Sequence, residues 1–239
     1  MPTQIPDTQL TYLGHSTFHI VTPGGQKLLI DPWVQGNPLC PDDHKKIKSL
    51  DKMMITHGHY DHISDAVDIG KQTGAMAVAV FETAHWLGSK GIKNLAPMNK
   101  GGTLSLDGVK VAMVHADHSC GITDGDQIVY GGEASGFVIE LENGFTIYHT
   151  GDTAVFGDMR LIAEIYHPDL VLLPIGDRFV MSPTEAAYAC RLMDAKHVIP
   201  IHYGTFPVLT GTPDAFQSAL KKLDLTPKVS VLEPGQTLD

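Results

Sequence analysis

Within the segment Met54–His62, "MITHGHYDH", the residues His57, His59, Asp61 and His62 put three imidazoles and a carboxylate into six positions. A solvated loop gains nothing from such a cluster, and a buried one must find a hydrogen-bond partner for every ring nitrogen. A metal ion removes that difficulty. In an extended stretch, residues two apart point the same way, so His57 and His59 can grip one ion. Asp61 and His62 fall where the chain turns toward a helix, and can aim at a second ion or at an attacking water. Three distant residues occupy equivalent places. His118 follows the apolar run "VKVAMV" by a few residues, Asp152 follows "FTIYH" and His202 follows "HVIPI", as His57 follows "KMMIT". The segment "HADHS" offers His115 as well as His118, and His118 is preferred because His115 still belongs to the strand end. Positions just past the carboxyl ends of strands are where layered α/β domains build ligand sites, since the strand ends are fixed and the loops beyond them are open. The spacing therefore predicts a two-metal site.

The elements that must position these residues are legible as short, β-branched apolar runs between turn signals. Strands are predicted over Thr17–Thr22, Lys27–Asp31, Lys52–Thr56, Met76–Val80, Val109–Val114, Gly136–Leu141, Phe145–His149, Asp169–Pro174, His197–Ile201 and Val229–Glu233. Asn143-Gly144 reads as a hairpin turn. Ser182-Pro183-Thr184-Glu185 combines an N-cap, an N1 proline and a capping-box glutamate, and Thr212-Pro213 opens a second helix similarly. Helices are also expected over 62–74 and over Phe156–His167. Strands alternating with single helices imply sheets covered by helices, an α/β layered domain spanning residues 1–239. The segments Pro32–Ser49 and Ser119–Ser135 are too long for turns, which marks them as functional loops.

Composition narrows the classes of partner. Seventeen Lys+Arg against 27 Asp+Glu leave a net charge of −10, and no basic tract or arm is present, so neither nucleic acid nor an anionic membrane is an expected partner. The three cysteines, Cys40, Cys120 and Cys190, are odd in number and far apart. They specify neither a disulfide framework nor a thiolate zinc site, and reduced thiols point to a cytoplasmic protein. No apolar run approaches the ~20 residues of a membrane span, and "MPTQIPDTQLTYLG" has neither the basic nor the apolar region of a secretory signal. The expected partner is a small-molecule substrate, with the oligomeric state open, a homo-oligomer included.

The run HxHxDH at His57, His59, Asp61 and His62, followed by "HADHS", "HTGDT" and "PIHYG", resembles the metallo-β-lactamase-fold hydrolases. With "LGHSTF" near the N-terminus, the chain is most similar to a branch of metal-dependent hydrolases related to the L-ascorbate-6-phosphate lactonases. The resemblance spans Leu13 to Pro207 and implies a four-layer αββα sandwich, α/β in class. It implies that His57, His59 and His118 hold one divalent ion, that Asp61, His62 and His202 hold another, and that Asp152 bridges them. The family's histidine directly precedes a serine, which again favours His118. Zinc is the default ion, with manganese or iron open given the carboxylates.

The implied activity is attack by a metal-activated hydroxide, oriented by Asp61, on a small ester or lactone, phosphorylated or otherwise anionic. His15 resembles a family position near the metals, and substrate contact and a structural role stay equally open for it. Arg178, beyond the strand end of "LLPIG", could fork onto a substrate anion or pair internally with Asp177. His149 and Asp31 suit supporting hydrogen bonds, and Cys120 reads as a small, partly buried residue. The rival readings are a phosphodiesterase or nuclease of the same fold, and a non-catalytic metal-binding module.

Overall fold

Alternation along the apolar strands decides the layering. In Leu28-Leu29-Ile30, the outer two side chains enter one buried cluster and Leu29 enters another. In Leu170-Val171-Leu172-Leu173, the first and third share the cluster of Leu28, while Val171 and Leu173 enter a third. A strand buried on both faces needs cover on both faces. The result is two sheets packed against each other around a central core, with helices on each outer face.

The structure is a computed structural model, and it describes residues 5–238. The first sheet contains β1 (Gln9–Tyr12), β2 (Phe18–Val21), β3 (Lys27–Ile30), β4 (Lys52–Met54), β5 (Met76–Val80) and β6 (Leu95–Met98). These neighbour one another in chain order, antiparallel from β1 to β3 and parallel from β3 to β6. The second sheet contains β7 (Thr103–Leu106), β8 (Val109–His115), β11 (Ser135–Glu140), β12 (Thr146–His149), β13 (Leu170–Pro174), β14 (His197–Ile201) and β15 (Lys228–Val229). It repeats the plan, antiparallel as far as β12 and parallel from there. The hairpin β9 (Gly121–Asp124) and β10 (Gln127–Tyr130) stands apart, and β16 (Thr237–Leu238) pairs with β1 on the first sheet.

Helices α1 (Tyr60–Ile63), α2 (Ala66–Thr73) and α3 (Phe81–Ser89) cover the first sheet, with Ile63, Ile69 and Leu87 packed on Leu29, Met53 and Ala77. Helices α4 (Met159–Tyr166), α5 (Pro183–Met193) and α6 (Pro213–Lys222) cover the second through Ile162, Cys190 and Phe216. The capping box forms as the sequence indicates: the Glu185 amide donates to Ser182 Oγ, and the Ser182 amide donates to the Glu185 carboxylate. No helix among the described residues is long and apolar enough to cross a membrane.

Several expectations need correction. The strand expected at Val229–Glu233 shrinks to Lys228–Val229: the Ser230 amide still donates to the Val198 carbonyl, but Pro200 of the neighbouring strand has no N–H for the next rung. The helix expected over 62–74 breaks in two around Ser64–Asp65, where Asp65 turns its carboxylate to the amides of Val34 and Gln35. The supposed loop Ser119–Ser135 contains the β9–β10 hairpin. Pro32–Ser49 is irregular apart from one short 3-10 turn at Asp42–His44.

Candidate metal centre

All seven sequence-predicted ligands converge at one end of the sandwich, beyond the carboxyl ends of β4, β8, β12 and β14, with Asp61 and His62 on the short helix α1 and the others in loops. Close backbone packing shapes these loops. A Cβ at Gly58 would lie 2.4 Å from Cγ1 of Ile122, so the hairpin residue can seat directly over the chain between His57 and His59 only because that position is glycine. Gly151, at φ 65°, takes a left-handed conformation that turns the chain into Asp152, and a Cβ there would lie 2.5 Å from the Ser135 carbonyl oxygen. His15, Asp31 and His202 also have positive φ, which is uncommon for non-glycine residues and clusters at functional sites.

The ligand atoms fall into two groups with a carboxylate between them. His57 Nε2 lies 3.0 Å from His59 Nδ1, which lies 3.3 Å from His118 Nε2. On the other side stand Asp61, His62 and His202, with Asp61 Oδ2 4.0 Å from His62 Nε2 and 3.9 Å from His202 Nε2. Asp152 Oδ2 is within 2.9 Å of His202 Nε2, 3.3 Å of His62 Nε2 and 3.9 Å of both His57 and His118 Nε2. Buried Asp152 Oδ1, His62 Nε2 and His202 Nε2 lack hydrogen-bond partners. Orphaned lone pairs of this kind, aimed at one another from nitrogen and oxygen donors, fit a site for metal ions. His57, His59 and His118 could hold one ion, and Asp61, His62 and His202 another, with Asp152 reaching both.

Supporting hydrogen bonds orient the rings. Asp31 is fully buried and accepts from the Thr56 amide, from Thr56 Oγ1 and from His62 Nδ1, each at 2.8 Å, leaving His62 Nε2 to face the site. Thr56 Oγ1 also sits 3.0 Å from His57 Nδ1. Ser119 Oγ lies 3.2 Å from His59 Nε2. His15 is buried behind Asp61, with Nε2 3.0 Å from Asp61 Oδ2 and Nδ1 2.9 Å from Thr205 Oγ1. Both its nitrogens are engaged, so His15 is placed to orient Asp61 and does not line the cavity. Neither Thr56 nor Thr205 was foreseen, although Thr56 directly precedes the histidine cluster.

Other expectations land differently. His149 donates from Nε2 to the Ser16 carbonyl and accepts the Gly151 amide at Nδ1, so it braces the turn before Asp152 and does not touch Asp152 itself. Cys120 accepts the Gly58 amide and donates to the Gly131 carbonyl, a structural use of a buried thiol. His115 ends β8, exposed beside Lys100 and Phe156, outside the cluster. Arg178 is exposed, with its guanidinium 5.5 Å over the Phe179 ring. The internal pair with Asp177 is not formed: Asp177 receives the Arg178 amide and the Thr210 hydroxyl.

Electrostatics favour metal binding. Burial, followed by the neighbouring imidazoles, pushes His57 well below its ordinary pKa and lowers His59; burial also lowers His118. Neutral imidazole is the ligating form. Burial opposes charge on Asp152 and Asp61, but the surrounding histidines outweigh it and hold both carboxyls low, well below the usual range for Asp152. His62 behaves oppositely: burial would lower it, but Asp152, Asp31 and Asp61 raise it well above its ordinary value. In the metal-free protein His62 therefore favours its protonated form more than an ordinary imidazole does, and an ion must displace that proton. Zinc binding is expected to release about one proton per chain, with apparent affinity rising up to ~10-fold per pH unit until the raised His62 value is passed. Calorimetric titration in two buffers of different protonation enthalpy measures this; a buffer-independent heat would refute it.

A cavity of about 550 Å³ opens over the ligands, lined by His59, Asp61, His118, Asp152 and His202 at its floor. A sequence profile of the β-lactamase superfamily domain matches residues 9–202. A UPF0173 metal-dependent hydrolase of Rubrobacter xylanophilus is 53% identical over 97% of this chain and 96% of its own length. One from Koribacter versatilis is 52% identical over 96% and 97%. Among solved structures, the metallo hydrolase Igni18 of the hyperthermophilic archaeon Ignicoccus hospitalis superposes with a TM-score of 0.83 at 37% identity, covering 96% of this chain and 97% of that one.

Proposed function

The chain belongs to the β-lactamase superfamily, among its UPF0173 metal-dependent hydrolases, and on that premise we propose that it hydrolyses a small ester or lactone at a pair of divalent ions. The observation that carries this reading is the placement of Asp152 Oδ2 within 3.9 Å of ligand nitrogens from both groups. Seven donors exceed the four of a tetrahedral site, so one ion would leave buried lone pairs unused. Zinc suits the histidine-rich half, and the carboxylates of the other half leave room for manganese or iron.

Ions held here would supply an activated water at neutral pH and an electrophile for the carbonyl oxygen. The chain's own groups do the rest. Asp61, fixed at Oδ2 by His15, orients the water with its other oxygen and takes up the proton. The water oxygen forms its bond to the carbonyl carbon, the bond from that carbon to the alkoxy oxygen breaks, and the departing oxygen recovers the proton from Asp61. Atoms balance as ester plus water giving acid plus alcohol.

The anionic group implied by the sequence resemblance finds no Lys or Arg among the described residues that line the cavity; the exposed Arg178 lies beside its wall, over the Phe179 ring. The same lack of basic groups disfavours a phosphodiesterase. Metal analysis of the purified protein, with a turnover screen across lactones, carboxylic esters, thioesters and phosphodiesters, tests the proposal; saturation at one ion per chain refutes its dinuclear half. In metal-saturated protein, Asp61→Asn is expected to lower kcat by roughly 10²–10³-fold while KM moves within about threefold. A variant turning over at the native rate would remove Asp61 from the mechanism.

A further inference from the structure

Large apolar side chains left in water are informative when they gather in one place. Tyr60, Phe179 and Val208 are 53%, 55% and 42% exposed, and all three line the cavity above the histidines, joined by Phe206 and Pro207. The wall is held in advance. Phe206 stacks on Trp33 at 5.9 Å, the edge of Trp33 meets Tyr60 at the same separation, and Trp33 itself is buried. The polar wall residues, Ser119 and Thr123, carry hydroxyls without charge. Every ionisable side chain at the cavity, Tyr60 aside, belongs to the metal cluster on its floor. The cavity volume is within the ~300–1,000 Å³ of small-molecule sites.

A charged substituent against Phe206, Pro207 and Val208 would lose its hydration with no Lys or Arg among the lining residues to replace it, and the Arg178 guanidinium beside the wall is itself exposed, 5.5 Å over the Phe179 ring. An acidic chain adds a field that disfavours anions further. An apolar substituent would instead be covered by surfaces already in position. Resting on the hydrolase reading above, we propose that the site selects uncharged esters or lactones bearing an alkyl or aryl group, and that Phe179, Phe206 and Val208 set this preference. The reacting carbonyl then sits over the histidines while its substituent lies along the aromatic wall.

The test uses the metal-loaded full chain with γ-lactones whose side chain grows from none to four carbons, and with an analogue of the longest carrying a terminal carboxylate. Each methylene that reaches the wall is expected to raise kcat/KM by up to about fourfold, for a total of roughly 50-fold or more. The carboxylate-tipped analogue should fall at least ~10-fold below its alkyl counterpart. Phe179→Ser, at an exposed position that the core does not need, and Phe206→Ala should each cut the long-to-short ratio by roughly fivefold. Calorimetric binding of 2-alkylcyclopentanones of the same lengths, which cannot be hydrolysed, reads the wall independently of turnover. If ketone affinity grows with chain length and drops in Phe179→Ser, the wall is established even if no lactone is cleaved, and then only the ester and lactone chemistry fails. If ketone affinity is flat with chain length, or the carboxylate-tipped lactone is preferred, the inference is overturned while hydrolysis itself can still stand.

Discussion

Asp152→Asn is expected to reduce bound metal from about two ions per chain to one or none, and to lower hydrolysis by at least about 10³-fold. The expectation follows from position more than from ligand count. Among the described residues, Asp152 is the one carboxylate with an oxygen close to nitrogens of both groups, so it can place negative charge between two cations that repel each other. An amide keeps the shape but offers a neutral oxygen on one side and N–H donors on the other, pointing hydrogens at nitrogens that must present lone pairs. Metal analysis and steady-state kinetics on the same preparation decide the matter. A variant that retains two ions would show that Asp152 does not bridge, and the two groups would then be independent sites.

Asp31→Ala should be the most damaging change away from the ligands themselves, lowering stability by ~3–5 kcal/mol, the usual cost of breaking a buried ion pair from one side. Three donors depend on that carboxylate, namely the Thr56 amide, Thr56 Oγ1 and His62 Nδ1, and all are fully buried. Without it they have no acceptor, and His62 loses one of the three carboxylates that favour its protonated form. For a chain of this length the loss corresponds to a melting temperature lower by roughly 6–20 °C. Thermal unfolding of the metal-free protein should show it, and a shift of only a degree or two would mean that water replaces the carboxylate. The sign with pH is fixed by the raised His62 value: its contribution is complete below the unfolded-state pKa of ~6.5 and disappears as pH rises through the higher folded-state value.

That these residues would gather in one place was readable because their chemistry is local and their context regular: histidines past strand ends, in strands long and apolar enough to recognise. The layered α/β domain followed from the same strands, and the four-layer sandwich from the family resemblance. What escaped detection lacked those signals. Strand β6 reads "LAPM", with a proline in its middle, and β7 reads "TLSL", an edge strand with half its side chains in water. Helix α3 begins directly after β5, with Val80 at its N-cap and no side-chain cap, so nothing announces it. The hairpin inside Ser119–Ser135 did carry a signal, since Gly125 and Asp126 form a two-residue connection between β9 and β10. Its neighbouring runs were too short and too exposed to read as strands. The apolar wall of the cavity could not be read at all, because Tyr60, Phe179 and Phe206 are brought together by tertiary structure and no spacing links them.

The two sheets share one plan, an antiparallel meander running into parallel strands, but they do not share the ligands evenly. His57, His59, Asp61 and His62 hang from the first sheet, and His118, Asp152 and His202 from the second. Each triad of ligands takes two members from the first sheet and one from the second. An ion in either place would therefore be a stitch across the seam, ligated from both sides, so that parting the sheets and releasing the metal become a single event. Chemistry and cohesion would then share one cause: neither half could inherit the activity alone, and a mutation that loosened the seam would be felt first as a loss of metal.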